Sequence, residues 1–417
     1  MHLDNETKLI RDILLVGQRT VSGTGEMFAT PERDLVWESK ALTTSKTWRA
    51  YYYINNPSGT VRWFFPKESH YPAYLSLYNS AHWKAKLYKL GTFASFGLGM
   101  PGLLSSGRFW LEGQEQLPLE EALQTVPHDT YGVFTGTVGE NRKSIIALAQ
   151  NHRVTHFAKL AHSSTGEALL RNEAHILRML KEMQTTILKT PTIGHSTLNQ
   201  MLVLSNVRPD TARETASIED RHLDGLEELY AETKKERTLG ELPMIQDVQE
   251  RLADMDAATL ADPSLDSAIV HRILQNLHRL EAGLDMRRKI PVALAHGDFT
   301  PWNMYVSDKA IHVYDWELAR PSMPLMYDLF HFVYQSGILL LRQPFPDIHR
   351  ELSRTFRLPA CVRLVQRFGV DKELMHKLYL LSLVSYYMKI YLRETNVHMQ
   401  VHWLMDTWDK ALIDILN

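Results

Sequence analysis

Two carboxylates and an amide are the side chains in this sequence whose spacing best suits chemistry. Asp298 follows the apolar segment 291–295, and Asn303 lies five positions after it. A second apolar segment, 311–314, leads directly into Asp315. Transfer of a phosphoryl group needs one carboxylate that orients the attacking hydroxyl and accepts its proton, and it needs oxygen ligands that hold Mg²⁺ against the phosphates. The pattern therefore predicts Asp298 as the catalytic base and Asn303 and Asp315 as metal ligands.

These residues belong to two motifs that resemble a known family. The letters H-G-D at positions 296 to 298 with N at 303, and then D-W-E at 315 to 317, are similar to the catalytic loop and the metal-binding motif of the aminoglycoside phosphotransferase and choline kinase family. The resemblance implies a protein-kinase-like fold, ATP and Mg²⁺ as cofactors, and a small-molecule hydroxyl as the acceptor. Protein kinases usually carry arginine where Gly297 stands, which favours a small-molecule acceptor. The alternative interpretation is a metal-free turn between two strands.

Three further residues take a role from this resemblance. His296 corresponds to a histidine that braces the loop, and Asp328 corresponds to an aspartate that supports it. An aspartate at a helix N-cap explains Asp328 equally well. Glu317 either contacts the metal or caps the segment that follows.

A lysine and a glutamate upstream support the same interpretation. Lys159 ends an apolar strand, and Glu173 lies on the next predicted helix within R-N-E-A, which resembles the corresponding helix of the aminoglycoside kinases. An ion pair of this kind holds the lysine against the α- and β-phosphates of a nucleotide. A solvated surface pair would be the default for two such residues alone, but the downstream motifs favour the functional interpretation.

Two other segments are candidates for nucleotide contacts. Gly136 and Gly139 could form a hairpin that approaches the phosphates, although a plain glycine-rich hairpin fits as well because the spacing is not G-x-G-x-x-G. Ser205 and Val207 follow a strand where a kinase-like fold joins its lobes, so their backbone groups are candidates for binding adenine. The sequence contains no G-x-x-x-x-G-K-[ST] motif, which argues against a P-loop enzyme.

Strand and helix patterns surround these residues. Strands are predicted at 131–138, 144–150 and 154–160, followed by a helix at 167–183 and a strand at 200–204. Helices dominate the remainder, at 218–233, 244–255 and 267–284 and again from about 352 to the end, with an apolar-aromatic run at 378–392. The predicted fold class is α+β, a two-lobed protein-kinase-like fold with an additional N-terminal α+β unit. The expected domains are residues 1–125 as that unit, 126–207 as the nucleotide-binding small lobe, and 208–417 as the mostly helical large lobe with the catalytic loop and acceptor site.

The N-terminal region contains a candidate internal repeat. Residues 61–67 and 77–82 resemble 154–159 and 170–175, because both are a β-rich run that ends in lysine, followed by a helix with N-x-A-H. Ser80 stands where the second segment has its carboxylate, so a genuine repeat would be a degenerate small lobe that does not bind nucleotide in the same way. Chance similarity of two strand–helix units is the alternative.

Composition sets the broad class. The chain has 417 residues, 44% hydrophobic and 23% charged, which is typical of a globular protein with a sizeable core. A net charge of -2 provides no overall basic field, so nucleic acid is not an expected partner. Cys361 is the single cysteine, which excludes an intramolecular disulfide and favours a reducing, cytoplasmic setting. The start resembles no signal peptide and no apolar run reaches about 18 residues, so we expect neither secretion nor a membrane span.

The leading hypothesis is therefore an ATP-dependent small-molecule kinase. Under this hypothesis, the expected acceptor is a sugar, an amino alcohol, an aminoglycoside or a polysaccharide precursor. A catalytically retired kinase fold that binds or regulates is the main alternative, and a protein kinase is disfavoured because a D-F-G to A-P-E segment is missing. The tyrosines at 379, 386, 387 and 391 either line an acceptor pocket or pack in a helical core.

Overall fold

The chain forms two compact units built from both helices and strands. The structure, a computed structural model, describes residues 2–16, 34–37, 47–77, 83–113, 116–137, 139, 142–209, 211–256 and 261–417. The first unit comprises Met1–Arg178 and Pro191–Asn206, and the second comprises Met179–Thr190 and Val207–Asn417. This mixed content confirms the α+β class predicted from the sequence.

The elements are numbered in chain order. The strands are β1 (Leu35–Val36), β2 (Trp48–Asn55), β3 (Val61–Pro66), β4 (Gly107–Glu112), β5 (Thr130–Phe134), β6 (Lys143–Gln150), β7 (Arg153–Ala161), β8 (Leu188–Lys189), β9 (Met201–Ser205), β10 (Lys235–Thr238), β11 (Lys289–Ala295), β12 (Met304–Val306), β13 (Ile311–Val313) and β14 (Arg320–Pro324). The helices are α1 (His2–Leu14), α2 (Trp83–Gly97), α3 (Pro118–Leu123), α4 (Ser164–Glu182), α5 (Asp220–Thr233), α6 (Pro243–Asp256), α7 (Ser267–Ala282), α8 (Tyr327–Gln335), α9 (Phe345–Thr355), α10 (Pro359–Phe368), α11 (Lys372–Tyr391) and α12 (Met399–Leu416).

One antiparallel sheet organises the first unit. Its eight strands follow the order β1-β4-β2-β3-β5-β6-β7-β9. Apolar side chains from β2 to β7 and β9 form a core with α1 and α3, which contribute residues such as Ile13 and Leu123, both fully buried. The meander β5-β6-β7 and the pairing of β7 with β9 match the strands predicted from periodicity. This sheet holds Lys159 in register between Ile145 and Leu202 on the neighbouring strands.

The N-terminal residues contribute to the same sheet as the expected small lobe. Strand β3 pairs with β5 at Trp63↔Phe134 and Phe64↔Val133, so the expected parts 1–125 and 126–207 share one continuous sheet. Pairing between strands far apart in sequence leaves no local signal, which is why composition and turn residues suggested a division at this point.

The candidate repeat differs from the second copy in its topology. The strand after β3 in the chain is β4, and it pairs with β2, whereas β9 pairs with β7, the strand that precedes α4. Lys67 lies beyond the end of β3 and is exposed, whereas Lys159 is buried within β7. Ser80 lies outside the described residues.

The second unit is mostly helical and contains two small sheets. They have the strand orders β10-β11-β14 and β12-β13-β8. The helices predicted at 218–233, 244–255 and 267–284 correspond to α5, α6 and α7, and the helical region predicted from about residue 352 contains α10, α11 and α12. Asp371 caps α11 by accepting from the N–H of Leu374 at 3.1 Å. Within the described ranges, no helix is long and apolar enough to cross a membrane.

Candidate active site

The central strand β11 carries the chain into the H-G-D loop. Ile290 to Ala295 are buried, so the strand is fixed on both faces before the loop begins. Gly297 then adopts φ +83°, and a Cβ atom at this position would lie 2.3 Å from the carbonyl oxygen of Leu318. Only glycine combines this backbone conformation with such a close approach. Sterics therefore require glycine at position 297 of the motif, directly before Asp298.

Replacing Gly297 with alanine is expected to lower the free energy of unfolding of the second unit by about 2–4 kcal/mol, because backbone strain adds to the clash with Leu318. The matched control is Gly369→Ala. Gly369 has φ +64° and open space around its Cβ position, so strain alone should cost about 1 kcal/mol. Urea unfolding followed by tryptophan fluorescence compares the two, and equal losses would contradict the steric argument.

Asp328 anchors the backbone of the H-G-D loop. It is buried, and its two carboxylate oxygens accept from the backbone N–H groups of His296 at 2.7 Å and Gly297 at 3.0 Å. Burial raises the pKa of this carboxyl, while the nearby imidazoles and the two N–H groups act in the opposite direction. The N-cap of α8 is Met326, so the N-cap interpretation of Asp328 does not describe its contacts.

His296 joins the loop to the second motif. Its Nδ1 accepts from the N–H of Asp298 at 3.2 Å, and its Nε2 donates to the carbonyl of Tyr314 at 3.0 Å. The ring is fully buried and lies 4.6 Å from the ring of Trp316. Since Nε2 faces a carbonyl, that nitrogen carries the proton and the tautomer is fixed. The imidazole thus links residue 298 to the residue that precedes Asp315.

Asn303 connects the two predicted motifs. Its Nδ2 donates to Oδ2 of Asp298 at 2.8 Å and to the carbonyl of Asp298 at 3.0 Å. Its own backbone carbonyl accepts from the N–H of Tyr314 at 3.0 Å. Asp315 comes next and has the left-handed conformation, with φ +69°. Carboxylate oxygens of Asp315 and Glu317 lie within 4.8 Å of one another. The second unit therefore places Asn303 in direct contact with Asp298, and the backbone of Tyr314 joins Asn303 to the residue before Asp315.

His331 is a contact of this site that sequence patterns did not single out. Its Nε2 lies 3.2 Å from Oδ1 of Asp298, and the residue is 2% exposed. Its Nδ1 is buried and has no hydrogen-bond partner in the described part of the chain. His331 lies three residues after Asp328 on α8, so both face the same loop. That helical spacing is the signal that could have identified it.

The first unit contains the predicted Lys159–Glu173 pair. The ammonium of Lys159 donates to both carboxylate oxygens of Glu173, at 2.8 and 2.7 Å. Glu173 is fully buried on α4 and Lys159 is 8% exposed at the end of β7. The pair is therefore not a solvated surface contact, and two hydrogen bonds fix the orientation of the ammonium.

Of the two glycines proposed to contact the phosphates, Gly136 is required to be glycine by the local backbone. Gly136 has φ +83°, and a Cβ there would lie 2.1 Å from the carbonyl of Lys143, so β5 ends at Phe134 rather than at 138 as predicted. Gly139 is exposed and has open space around it. The guanidinium of Arg142 donates to the carbonyl of Thr135 at 2.9 Å, which closes the hairpin.

Ser205 and Val207 have polar contacts of their own. The hydroxyl of Ser205 accepts from the N–H of Thr192 at 2.9 Å, which ties the end of β9 to the preceding segment. Val207 forms a backbone hydrogen bond with His312, and burial lowers the pKa of that histidine.

The four tyrosines of α11 divide by burial. Tyr379 is fully buried, as core packing requires. Tyr387 and Tyr391 are half-buried and stack on each other and on Trp408, with ring centroids 5.8 to 6.3 Å apart. Tyr386 is exposed. Core packing therefore accounts for Tyr379, and the lining of an acceptor pocket by the other tyrosines stays a prediction.

The order of these elements is that of a two-lobed protein-kinase-like fold. An antiparallel sheet carries the lysine, the next helix carries its glutamate, and a mostly helical unit carries the H-G-D loop and the second aspartate.

Comparisons with known proteins match structures only. No protein-family model and no curated protein matches the chain. An ADP-bound aminoglycoside phosphotransferase is 9% identical in sequence, with a TM-score of 0.42. The match covers 72% of this chain and 95% of that enzyme. An amicoumacin kinase in complex with AMP-PNP, Ca²⁺ and Ami is 11% identical, with a TM-score of 0.43, and the match covers 68% of this chain and 88% of that kinase. A glucosamine kinase is 14% identical, with a TM-score of 0.43, and the match covers 69% of this chain and 81% of that kinase.

Proposed function

We propose that this chain is an ATP-dependent phosphotransferase that moves the γ-phosphoryl group of MgATP to a hydroxyl group of a small molecule. The observation that supports it most directly is the hydrogen bond between Asn303 and Asp298, which joins the proposed base to a proposed metal ligand at 2.8 Å. The acceptor oxygen attacks the γ-phosphorus, its proton passes to the carboxylate of Asp298, and ADP leaves.

The residues of the second unit fit a divalent cation. Asn303 uses its amide nitrogen for both bonds to Asp298, which leaves the oxygen Oδ1 as the atom that can bind metal. Asp315 supplies a carboxylate, and a carboxylate oxygen of Glu317 lies within 4.8 Å of one of its own. Amide and carboxylate oxygens are hard ligands that suit Mg²⁺. When bound, the cation would neutralise charge on the phosphates.

The first unit contributes the proposed phosphate contact. Lys159 is held by Glu173 through two hydrogen bonds, so its ammonium is oriented before any nucleotide binds. Such preorganisation reduces the entropy lost on binding. Gly136, Gly139, Ser205 and Val207 remain proposed nucleotide contacts, through their backbone groups.

The test is a turnover screen with a direct product readout. The full chain is incubated with MgATP and a panel of sugars, amino alcohols, aminoglycosides and polysaccharide precursors, while ADP release is followed and products are identified by mass. We expect a phosphorylated product with at least one class. Nucleotide binding without turnover on any acceptor would favour the retired kinase fold, and phosphate on proteins alone would favour a protein kinase.

His331 is expected to position Asp298 for this reaction. Replacing His331 with leucine removes the partner of Oδ1 and should lower kcat by about 10- to 100-fold, because a small displacement of the base impairs attack. The KM for ATP should stay the same. Glutamine can place an amide N–H where Nε2 now lies, so His331→Gln should recover most of the loss. Equal losses in the two variants would contradict a positioning role.

A further inference from the structure

A dense group of exposed apolar side chains surrounds α2. The described ranges contain 17 exposed large apolar residues, and eight of them fall between positions 83 and 104. We call these eight residues the α2 patch: Trp83, Leu87, Leu90, Phe93, Leu98, Met100, Leu103 and Leu104. Scattered exposed leucines are ordinary, but a contiguous apolar patch indicates an interaction surface.

Helix α2 is apolar on two opposite sides. One side packs on the sheet through Tyr88 and Phe96, which join a cluster with Phe65 and Tyr74. The other side follows the spacing 83, 87, 90 and is 62–69% exposed at those positions. The inner side already provides the packing that holds the helix, so the outer apolar side is not needed for the core.

The following loop extends the same surface. Leu104 lies against the helix, since a Cβ at Gly91 would be 3.4 Å from its Cδ1 atom. Gly102 lies flat on the ring of Tyr52, and the N–H of Ser106 donates to the carbonyl of Tyr53 at 2.8 Å. The loop is therefore anchored beside the helix, with Leu98 and Leu103 exposed by 71% and 62%.

The charge around the patch has one sign. Residues 69–111 contain four basic residues (Lys84, Lys86, Lys89 and Arg108) and no acidic residue. The whole chain, by contrast, has 48 acidic and 46 basic residues. Lys84 and Lys86 are exposed among the apolar side chains, and the ammonium of Lys84 lies 5.7 Å from the ring centroid of Trp83.

This combination fits a lipid surface better than a protein. The cores of protein interfaces are depleted of lysine. A symmetric contact between two copies of this chain would bring the same lysines close together. Interfacial membrane helices, in contrast, combine tryptophan and leucine, which enter the headgroup region, with lysines that contact anionic lipids.

We propose that the α2 patch binds the surface of membranes that contain anionic phospholipids. The apolar side chains insert among the headgroups, and Lys84, Lys86 and Arg108 contact the lipid phosphates. The helix lies on the membrane and does not cross it. This binding is independent of the proposed phosphotransferase reaction, because every residue of that reaction lies outside 83–108.

The experiment is sedimentation of the full chain with vesicles. Phosphatidylcholine vesicles containing one third phosphatidylglycerol are compared with pure phosphatidylcholine vesicles, at low and at high salt. We expect at least about tenfold stronger partitioning onto the anionic vesicles at low salt, and a decrease at high salt. The double variant Leu87→Ser/Leu90→Ser should lose about tenfold or more of this partitioning.

The matched control is Leu340→Ser/Leu341→Ser, which changes two leucines of the second unit that are also half-exposed, at 49% and 46%. Its partitioning should equal that of the parent chain, and circular dichroism checks that both variants are folded. A folded parent that does not partition, or a Leu87→Ser/Leu90→Ser variant that partitions as well as the parent, would overturn the proposal. A solution dimer that dissociates in the same variant would assign the patch to a second copy instead.

Discussion

Asp298→Asn is expected to lower kcat by about 10²- to 10⁴-fold, the range typical of removing a general base. The amide keeps the size of the carboxylate and can still contact Asn303, but it cannot accept the proton of the attacking hydroxyl. Binding of MgATP should persist, because Lys159 and the proposed metal ligands are unchanged. ADP release with the best acceptor from the screen measures the first effect, and equilibrium binding of a nucleotide analogue measures the second.

The control is Asp308→Asn in the turn between β12 and β13. Asp308 is exposed, and the bond it makes to Arg221 uses its backbone carbonyl, so the variant should behave as the parent chain does. An Asp298→Asn protein with parental kcat would show that the proton leaves by another route. The proposed role of Asp298 would then be wrong even if the chain is a kinase.

Glu173→Leu is expected to lower the free energy of unfolding by about 3–5 kcal/mol and to abolish measurable turnover. The substitution removes both hydrogen bonds that Glu173 makes to the buried ammonium of Lys159, and the loss of one member of a buried ion pair is costly. The double variant Lys159→Met/Glu173→Leu removes both charges, so it should recover most of the stability while turnover stays lost. Chemical denaturation and ADP release separate the two effects.

An exposed pair on the same helix provides the control. Arg171 and Glu167 lie 3.3 Å apart in solvent, and Glu167→Leu should change the free energy of unfolding by no more than about 0.5 kcal/mol. If the double variant retained turnover, the lysine would have no role in the reaction. If Glu173→Leu were as stable as the parent chain, the pair would not be buried as described.

The candidate site was predictable from sequence where its determinants are local. Asp298 and Asp315 come shortly after the apolar strands β11 and β13, and Asn303 lies five residues after Asp298, so the residues that position them lie nearby in the chain. Lys159 and Glu173 also lie on consecutive elements, β7 and α4. Apart from the end of β5, the predicted strands and helices around them agree with the structure in their bounds, because periodicity is strong in buried segments.

Contacts between distant segments were not predictable in the same way. The continuity of the sheet depends on β3 meeting β5, and no pattern in either strand specifies that partner. His331 reaches Asp298 only because α8 packs under the loop. The end of β5 at Phe134 was not predicted, because the sequence does not show whether Gly136 adopts a positive φ that ends the strand or provides space for a ligand.

The pairing of β3 with β5 places the strand that leads to Gly136 inside the sheet. The strand that leads to Gly136 has hydrogen-bonded neighbours on both sides, and the N–H of Thr135 also donates to the carbonyl of Arg62 at 3.0 Å. Outermost strands fray easily, whereas interior strands are among the last to open. The end of β5 that leads to Gly136 is therefore expected to be among the last parts of the sheet to open.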